Sequence, residues 1–301
     1  MPQPRAIRKV FRSSPVIEGA GVHLKRAFGH REAPLFDPFL MLDDFRNSEP
    51  ALFQAGFPWH PHRGIETISY ILRGTVEHGD SMGNKGVIGP GDVQWMTAGS
   101  GIVHQEMPKG NESGEQWGFQ LWANLPASHK MMAPRYQEIK SAEIPVVTLE
   151  NGVEIRVVCG EAAGRTGPVR DIVIEPQFLD ITVPAGVEYE HPTPPGHTLL
   201  AYVIGGSGFL SRDKKTFGHE QIAERAADVG PGPAVENEHL VLFGPGQSIV
   251  AIGGDLPLRF LLFAGRPLNE PVAWRGPIVM NTEQELQTAF EEYSNGTFIK
   301  E

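Results

Sequence analysis

Residues 60–74 read HPHRGIETISYILRG, and this stretch decides the fold class. From Ile65 to Leu72 β-branched and aromatic residues dominate, the composition that suits a pleated, partly buried strand. Arg73-Gly74 closes the run and Val76-Glu77-His78 begins a return strand, so the segment reads as a β-hairpin. At its head stand His60 and His62, with only Pro61 between them. Side chains two apart on a strand share a face, so both imidazoles can address one point.

The pattern recurs downstream. Lys85 to Ile88 leads into Gly89-Pro90-Gly91-Asp92, a strong turn signal, and residues 91–108 read GDVQWMTAGSGIVHQEMP. Val93 to Met96 resumes a strand, and after a Gly-rich turn comes a second skipped pair, His104 and Glu106. Three imidazoles and a carboxylate converging from two strands make a donor set for a divalent transition metal. With protein on one side only, such an ion keeps positions free for chemistry. The residues alone leave the carboxylate open. Glu66, four residues past His62, keeps the same facing on an extended strand; it either orients an imidazole from behind or replaces Glu106 as ligand. His78 and His129 have no partner at strand spacing and read as surface or core residues. His191 and His197 enclose Pro-Thr-Pro-Pro-Gly, which argues against a second metal site.

The chain has 301 residues, 40% hydrophobic and 21% charged, with 35 Gly and 26 Pro scattered between apolar runs, as in an all-β protein of short strands and tight turns. Further strands are expected at Phe119–Leu125, Val153–Val158, Phe178–Val183, Leu199–Ile204, Leu240–Phe243, Ser248–Ile252 and Arg259–Phe263, with an irregular connector over 126–144. Pro245-Gly246-Gln247 echoes Pro90-Gly91-Asp92 and hints at two copies of one barrel. Thr282 and Glu285 form a capping box for one helix, with Leu286, Phe290 and Tyr293 on one face and Asn295-Gly296 at its end. A formal charge of -10 argues against nucleic acid or an anionic membrane as partner, and the basic residues near the start (Arg5, Arg8, Lys9, Arg12, Lys25, Arg26) read as solvated surface. Cys159 is the single cysteine, so no internal disulfide forms, and it reads as a small core residue. No run is apolar enough to span a bilayer and no signal peptide is evident, so the cytoplasm is the expected compartment, with the nucleus added in a eukaryote.

Taken together, residues 60–70 and 90–108 resemble the pirin family of the cupin superfamily. Asp37–Phe45 (DPFLMLDDF) resembles the family's N-terminal segment and Gly276–Thr282 (GPIVMNT) its C-terminal one, so the likeness covers nearly the whole chain. It implies an all-β bicupin, two stacked antiparallel β-barrels of jelly-roll type with a C-terminal helix. The division expected is 1–130 for a metal-binding barrel and 131–301 for a second barrel without ligands but with the helix. It also implies His60, His62, His104 and Glu106 as the four ligands, which moves the open role from Glu66 to Glu106.

Fe(II) suits this nitrogen and oxygen set, with Ni, Cu, Mn, Co or Zn admissible. The resemblance extends to quercetin 2,3-dioxygenase and implies a flavonol and O2 as substrates, Glu106 as the base at the flavonol hydroxyl, and ring opening with release of CO. Phe53, Phe57, Trp59, Trp95, Met96, Phe119 and Trp122 are candidates for apolar walls, with Glu66 beside them. Its alternative implication is a non-enzymatic regulator, metal- or redox-dependent, that binds transcription factors or metabolic enzymes. A monomer is expected. Imidazole ligands of ordinary pKa imply metal loss below about pH 6.5.

Overall fold

A computed structural model of the chain describes residues 3–214, 219–221 and 234–300. All the strands expected from alternation and turn chemistry are present, and each is antiparallel to its neighbours in sheets that stay open rather than closing into rings. Contacts divide the chain into two units. One comprises Pro15–Ala33, Pro38–Ser141 and Leu268–Glu301; the other comprises Met1–Ser14, Pro34–Asp37 and Ala142–Pro267.

This division differs from a contiguous split at 130/131, because each end of the chain groups with the other half. Ile7–Arg12 adds a strand beside His239–Phe243, with Val10 opposite Val241 and buried in that unit's core. Arg5 anchors the segment through hydrogen bonds from Nε to Thr193 Oγ1 (2.8 Å) and from its guanidinium to the Pro194 carbonyl (2.7 Å). The C-terminal stretch joins the unit formed mainly by Pro38–Ser141. Its helix, Glu283–Ser294, begins at the expected capping box on Thr282 and Glu285. Leu286 and Ala289 are buried with Ile278, Met280 and Phe298, while Tyr293 is exposed and belongs to the outer face. An apolar stripe covers whatever apolar surface the chain path brings to it, and helical periodicity does not say which.

The unit carrying both His pairs pairs a seven-stranded sheet with a four-stranded one. The larger runs Arg135–Ile139, Val93–Thr97, Ile65–Arg73, Trp117–Asn124, Phe39–Asp44, Val22–Phe28 and Ser14–Glu18; the smaller runs Phe57–His62, Ile102–Pro108, Val76–Asp80 and Lys85–Ile88. Arg135–Ile139 pairs with Val93–Thr97 in regular register, so the connector expected over 126–144 contains a strand; its sequence, RYQEI, is too polar to show alternation. In the other unit an eight-stranded and a four-stranded sheet enclose a core of aliphatic residues from both, including Val157, Leu179, Ile249 and Ala251. No described helix is long and apolar enough to cross a membrane.

The exchanged C-terminus gives a direct test. Leu286→Ala leaves a cavity and should cost about 2–5 kcal/mol. Hydrogen exchange should show faster amides in Phe57–His62 and Ile102–Pro108 and unchanged ones in Leu258–Gly265; the opposite pattern would refute the assignment of the helix.

Candidate metal centre

The antiparallel pairing of Phe57–His62 with Ile102–Pro108 sets His104 opposite His60 and Ile102 opposite His62. Opposed residues share a face, so the three imidazoles meet on the inner side of the smaller sheet. His60 is part-exposed, whereas His62 and His104 are buried. Nε2 of His60 lies 3.0 Å from Nε2 of His62 and 2.9 Å from Nε2 of His104.

The other ring nitrogens say which protons are present. Nδ1 of His60 faces the Pro58 carbonyl at 2.8 Å, and Nδ1 of His62 faces the Pro277 carbonyl at 3.0 Å. A carbonyl only accepts, so both Nδ1 atoms carry the hydrogen and both Nε2 atoms present lone pairs. One proton on His104 Nε2 could serve a single contact, leaving the other pair of nitrogens in mutual repulsion. A Lewis acid at the centre satisfies all three. The spacing also fits: nitrogens about 2.1 Å from a common ion lie ~3.0 Å apart at right angles and ~3.4 Å apart at the tetrahedral angle. Both distances from His60 therefore suit neighbouring corners of an octahedral site. Among the described residues they are the one group of His, Cys, Asp and Glu side chains gathered this way.

Glu106 lies outside that group. Its carboxylate accepts from Ser69 Oγ (2.8 Å) and Gln120 Nε2 (2.7 Å), and Gln120 Oε1 accepts from Trp122 Nε1 (3.1 Å). A register shift between His104 and Glu106 sets Glu106 opposite Phe57, which turns it from the imidazoles towards the larger sheet. Glu66 is not beside an imidazole at all. The chain crosses between sheets at Arg63-Gly64, where Gly64 has φ +78°, and this resets the facing that an uninterrupted strand would have kept. Glu66 opposes Thr97 and accepts its hydroxyl at 2.7 Å, and burial pushes the carboxyl up to about 7.

The same alternation sorts the wall candidates. Trp95 opposes Ile68 on the face that carries Glu66, whereas Met96 opposes Thr67 on the face that carries Ser69 and packs with Trp122. Trp59 points to solvent. The cleft in front of His60 and His62 has a volume of about 530 Å³ and is bounded by Phe57, Trp122, Trp274, Met41 and Pro277, with Gln120 and the Arg26–Asp43 pair at its polar side. Trp122 stands edge-on to His62 (5.0 Å) and 5.9 Å from Trp274. Trp274 and Pro277 arrive from more than 200 residues away, and strand spacing around the histidines carries no signal for them. Gln120 was legible as a polar residue alternating with Trp122 on one face of FQLWANL. His78, read as surface or core, is a core residue opposite Glu106, its ring 5.5 Å from His104 and stacked on Tyr136.

Behind the ligand strand the C-terminal stretch acts as a brace. Arg63, 2% exposed, pairs with Glu292 (2.7 Å), donates to the Phe298 carbonyl (2.8 Å), and its own carbonyl accepts from Val279 N (3.1 Å). Lys130 Nζ, 1% exposed, donates to the carbonyls of Gly64 (2.9 Å) and Val279 (3.0 Å) and to Asn124 Oδ1 (2.7 Å). Burial pushes this ammonium down to about 7. A Cβ on Gly64 would stand 2.0 Å from the Val279 oxygen, so only glycine allows the approach.

Two outcomes follow. Lys130→Met strips three buried acceptors of their donor and should cost about 3 kcal/mol in chemical denaturation, with weaker metal binding by titration; unchanged metal affinity would remove the brace from the account. Burial, then repulsion from neighbouring imidazoles, holds His62 and His104 well below their ordinary range. Protons therefore reach them later than an exposed imidazole, and metal should be retained below the ~6.5 of an unperturbed histidine. The metal-free fold should lose stability as pH falls through ~6.5, because there the unfolded chain takes up protons first. Metal analysis across pH checks the first statement and thermal melting the second; release centred at 6.5 would contradict the burial.

Comparison with known proteins identifies the family of the chain. The Pirin family model matches residues 21–123 and that of the Pirin C-terminal cupin domain matches residues 178–299. A pirin-like protein of Caulobacter vibrioides is 40% identical, the alignment covering 98% of this chain and 99% of the relative. The crystal structure of quercetin 2,3-dioxygenase from Acinetobacter baumannii superposes with a TM-score of 0.84 at 29% identity, covering 98% of each chain. A bacterial pirin from Escherichia coli, solved in complex with nickel(II), shares the fold at a TM-score of 0.61 and 21% identity over 85% of this chain and 96% of its own. Two cupin domains, matched along both halves and joined by a relative nearly coextensive with the sequence, place the chain in the pirin family.

Proposed function

We propose that the protein is a metal-dependent dioxygenase that opens the central ring of flavonols such as quercetin with O2 and releases CO. The observation that carries this reading is the meeting of three imidazoles, with His60 Nε2 at right-angle spacing from the Nε2 atoms of His62 and His104, beside an aromatic-walled cleft. The likeness to a quercetin 2,3-dioxygenase supports it. Fe(II) is the ion that best suits imidazole nitrogens with a carboxylate nearby, and Ni(II) is the next candidate. When bound, the metal would polarise the flavonol 3-hydroxyl and pass electron density towards dioxygen.

The chain's own groups supply the rest. A cleft of about 530 Å³ accommodates a flat polyphenol, and Trp122 and Trp274 offer ring faces along its length. Glu106 is assigned both as the base for the 3-hydroxyl proton and as the fourth ligand. For either task its carboxylate leaves the hydrogen bonds of Ser69 and Gln120, so those two side chains set how readily it is offered. Gln120 borders the cleft as well as Glu106, which makes it the hinge of that exchange.

Metal-loaded protein should consume O2 and release CO in equal amounts with quercetin. His104→Ala should abolish both metal binding and turnover, and Glu106→Gln should lower kcat by about 10²–10³, the range for loss of a general base. Oxygen-electrode and CO measurements on metal-replete protein decide it. Inertness towards flavonols, together with a pull-down profile that changes when the metal is oxidised, would favour the regulator instead.

A further inference from the structure

A second, much smaller cavity lies behind Gln120, on the side away from the open cleft. It offers about 20 Å³ to the centre of a water-sized sphere, enough for one diatomic or one water by the ~10–15 Å³ criterion. Its apolar lining comes from Val22, Leu24, Phe45, Phe53, Phe57 and Val76, a buried cluster of the same unit. Asp43, Phe57 and Gln120 border both spaces, so they form the partition between the cavity and the cleft that holds His60 and His62.

The polar groups on its wall are already engaged with one another. Ser69 Oγ donates to Glu106 and accepts from Gln120 Nε2 at 3.3 Å, and Gln120 Oε1 is taken by Trp122. Both Asp43 oxygens accept from Arg26 at 2.8 Å. A water placed here could reach a lone pair left on the Asp43 or Glu106 carboxylate, but it meets no free donor for its own oxygen, and carbon walls its other sides. Sites holding ordered water present two to four usable polar partners, while cavities walled by aliphatic and aromatic carbon stay dry and admit apolar atoms.

We propose that this cavity is a holding site for a small apolar gas, dioxygen, one partition away from the imidazole cluster. Only the identity of the gas rests on the dioxygenase reading; the binding site itself rests on shape and polarity. Glu106 would then face the stored gas, with Gln120 standing between its carboxylate and the cleft. Gas leaving past Gln120 would emerge beside the flavonol rather than from bulk solvent.

Xenon is the probe, because it fills dry apolar cavities and reacts with nothing. Crystals of metal-loaded protein under xenon pressure should show an atom bounded by Val22, Leu24 and Val76. Val22→Ile, which adds one methylene, should remove that atom without changing metal content. In the same variant the KM for O2 should rise about threefold or more, with the KM for flavonol unchanged, since a gas-site defect raises one and not the other. Val76→Ile fills the cavity from a different strand and should reproduce the effect. An ordered water in the cavity, or xenon bound elsewhere only, overturns the proposal; so does an equal rise in both KM values. Xenon bound in a protein inert towards flavonols would uphold the gas site while removing the catalytic reading, so the two fail separately.

Discussion

The hydrogen bond from His62 Nδ1 to the carbonyl of Pro277 is the constraint on which the imidazole cluster depends. It selects the tautomer, fixes the ring plane and turns Nε2 towards its neighbours. That carbonyl is held in turn because Ile278 bridges to Arg63 and Val279 exchanges contacts with Arg63, Gly64 and Lys130. A buried lysine that gives all three hydrogens to main-chain and amide oxygens is an expensive device. It persists where the acceptors cannot be satisfied any other way. The ligand strand is therefore clamped from behind while its front faces the cleft.

Alternation explains both what was legible in the sequence and what was not. Within a strand the parity of residue numbers brings His60 and His62 side by side, and pairing then delivers His104 to the same face. Parity fails wherever the chain changes sheet. One glycine at Gly64 was enough to send Glu66 to Thr97, and the irregularity after His104 sent Glu106 to Ser69 and Gln120. Trp59 and Trp95 stand one position from residues that point inward, and for that reason point elsewhere. Trp274 and Pro277 were illegible for a different reason: contacts across 200 residues leave no local periodicity, even when they build the site.

The second unit shows the same architecture without the chemistry. Where the first unit gathers imidazoles, its sheets enclose aliphatic side chains, and its buried His191 is used up by Tyr189 OH (2.9 Å) and Gln177 Oε1 (3.3 Å). Burial holds His191 down to about 4, so it stays a neutral member of a structural hydrogen-bond chain. One fold thus carries an imidazole cluster in one copy and a packed interior in the other, the difference residing in a few inward positions.

The exchange of chain ends bears on biosynthesis. A ribosome delivers residues 38–141 long before Leu268–Glu301, yet the carbonyl that orients His62 and the lysine's acceptor Val279 belong to that last stretch. The nascent chain must therefore wait, with its ligand strand unbraced, until translation is nearly complete. The three histidines are aimed only once Leu268–Glu301 has been delivered, and a product terminated before that stretch carries them without the means to aim them.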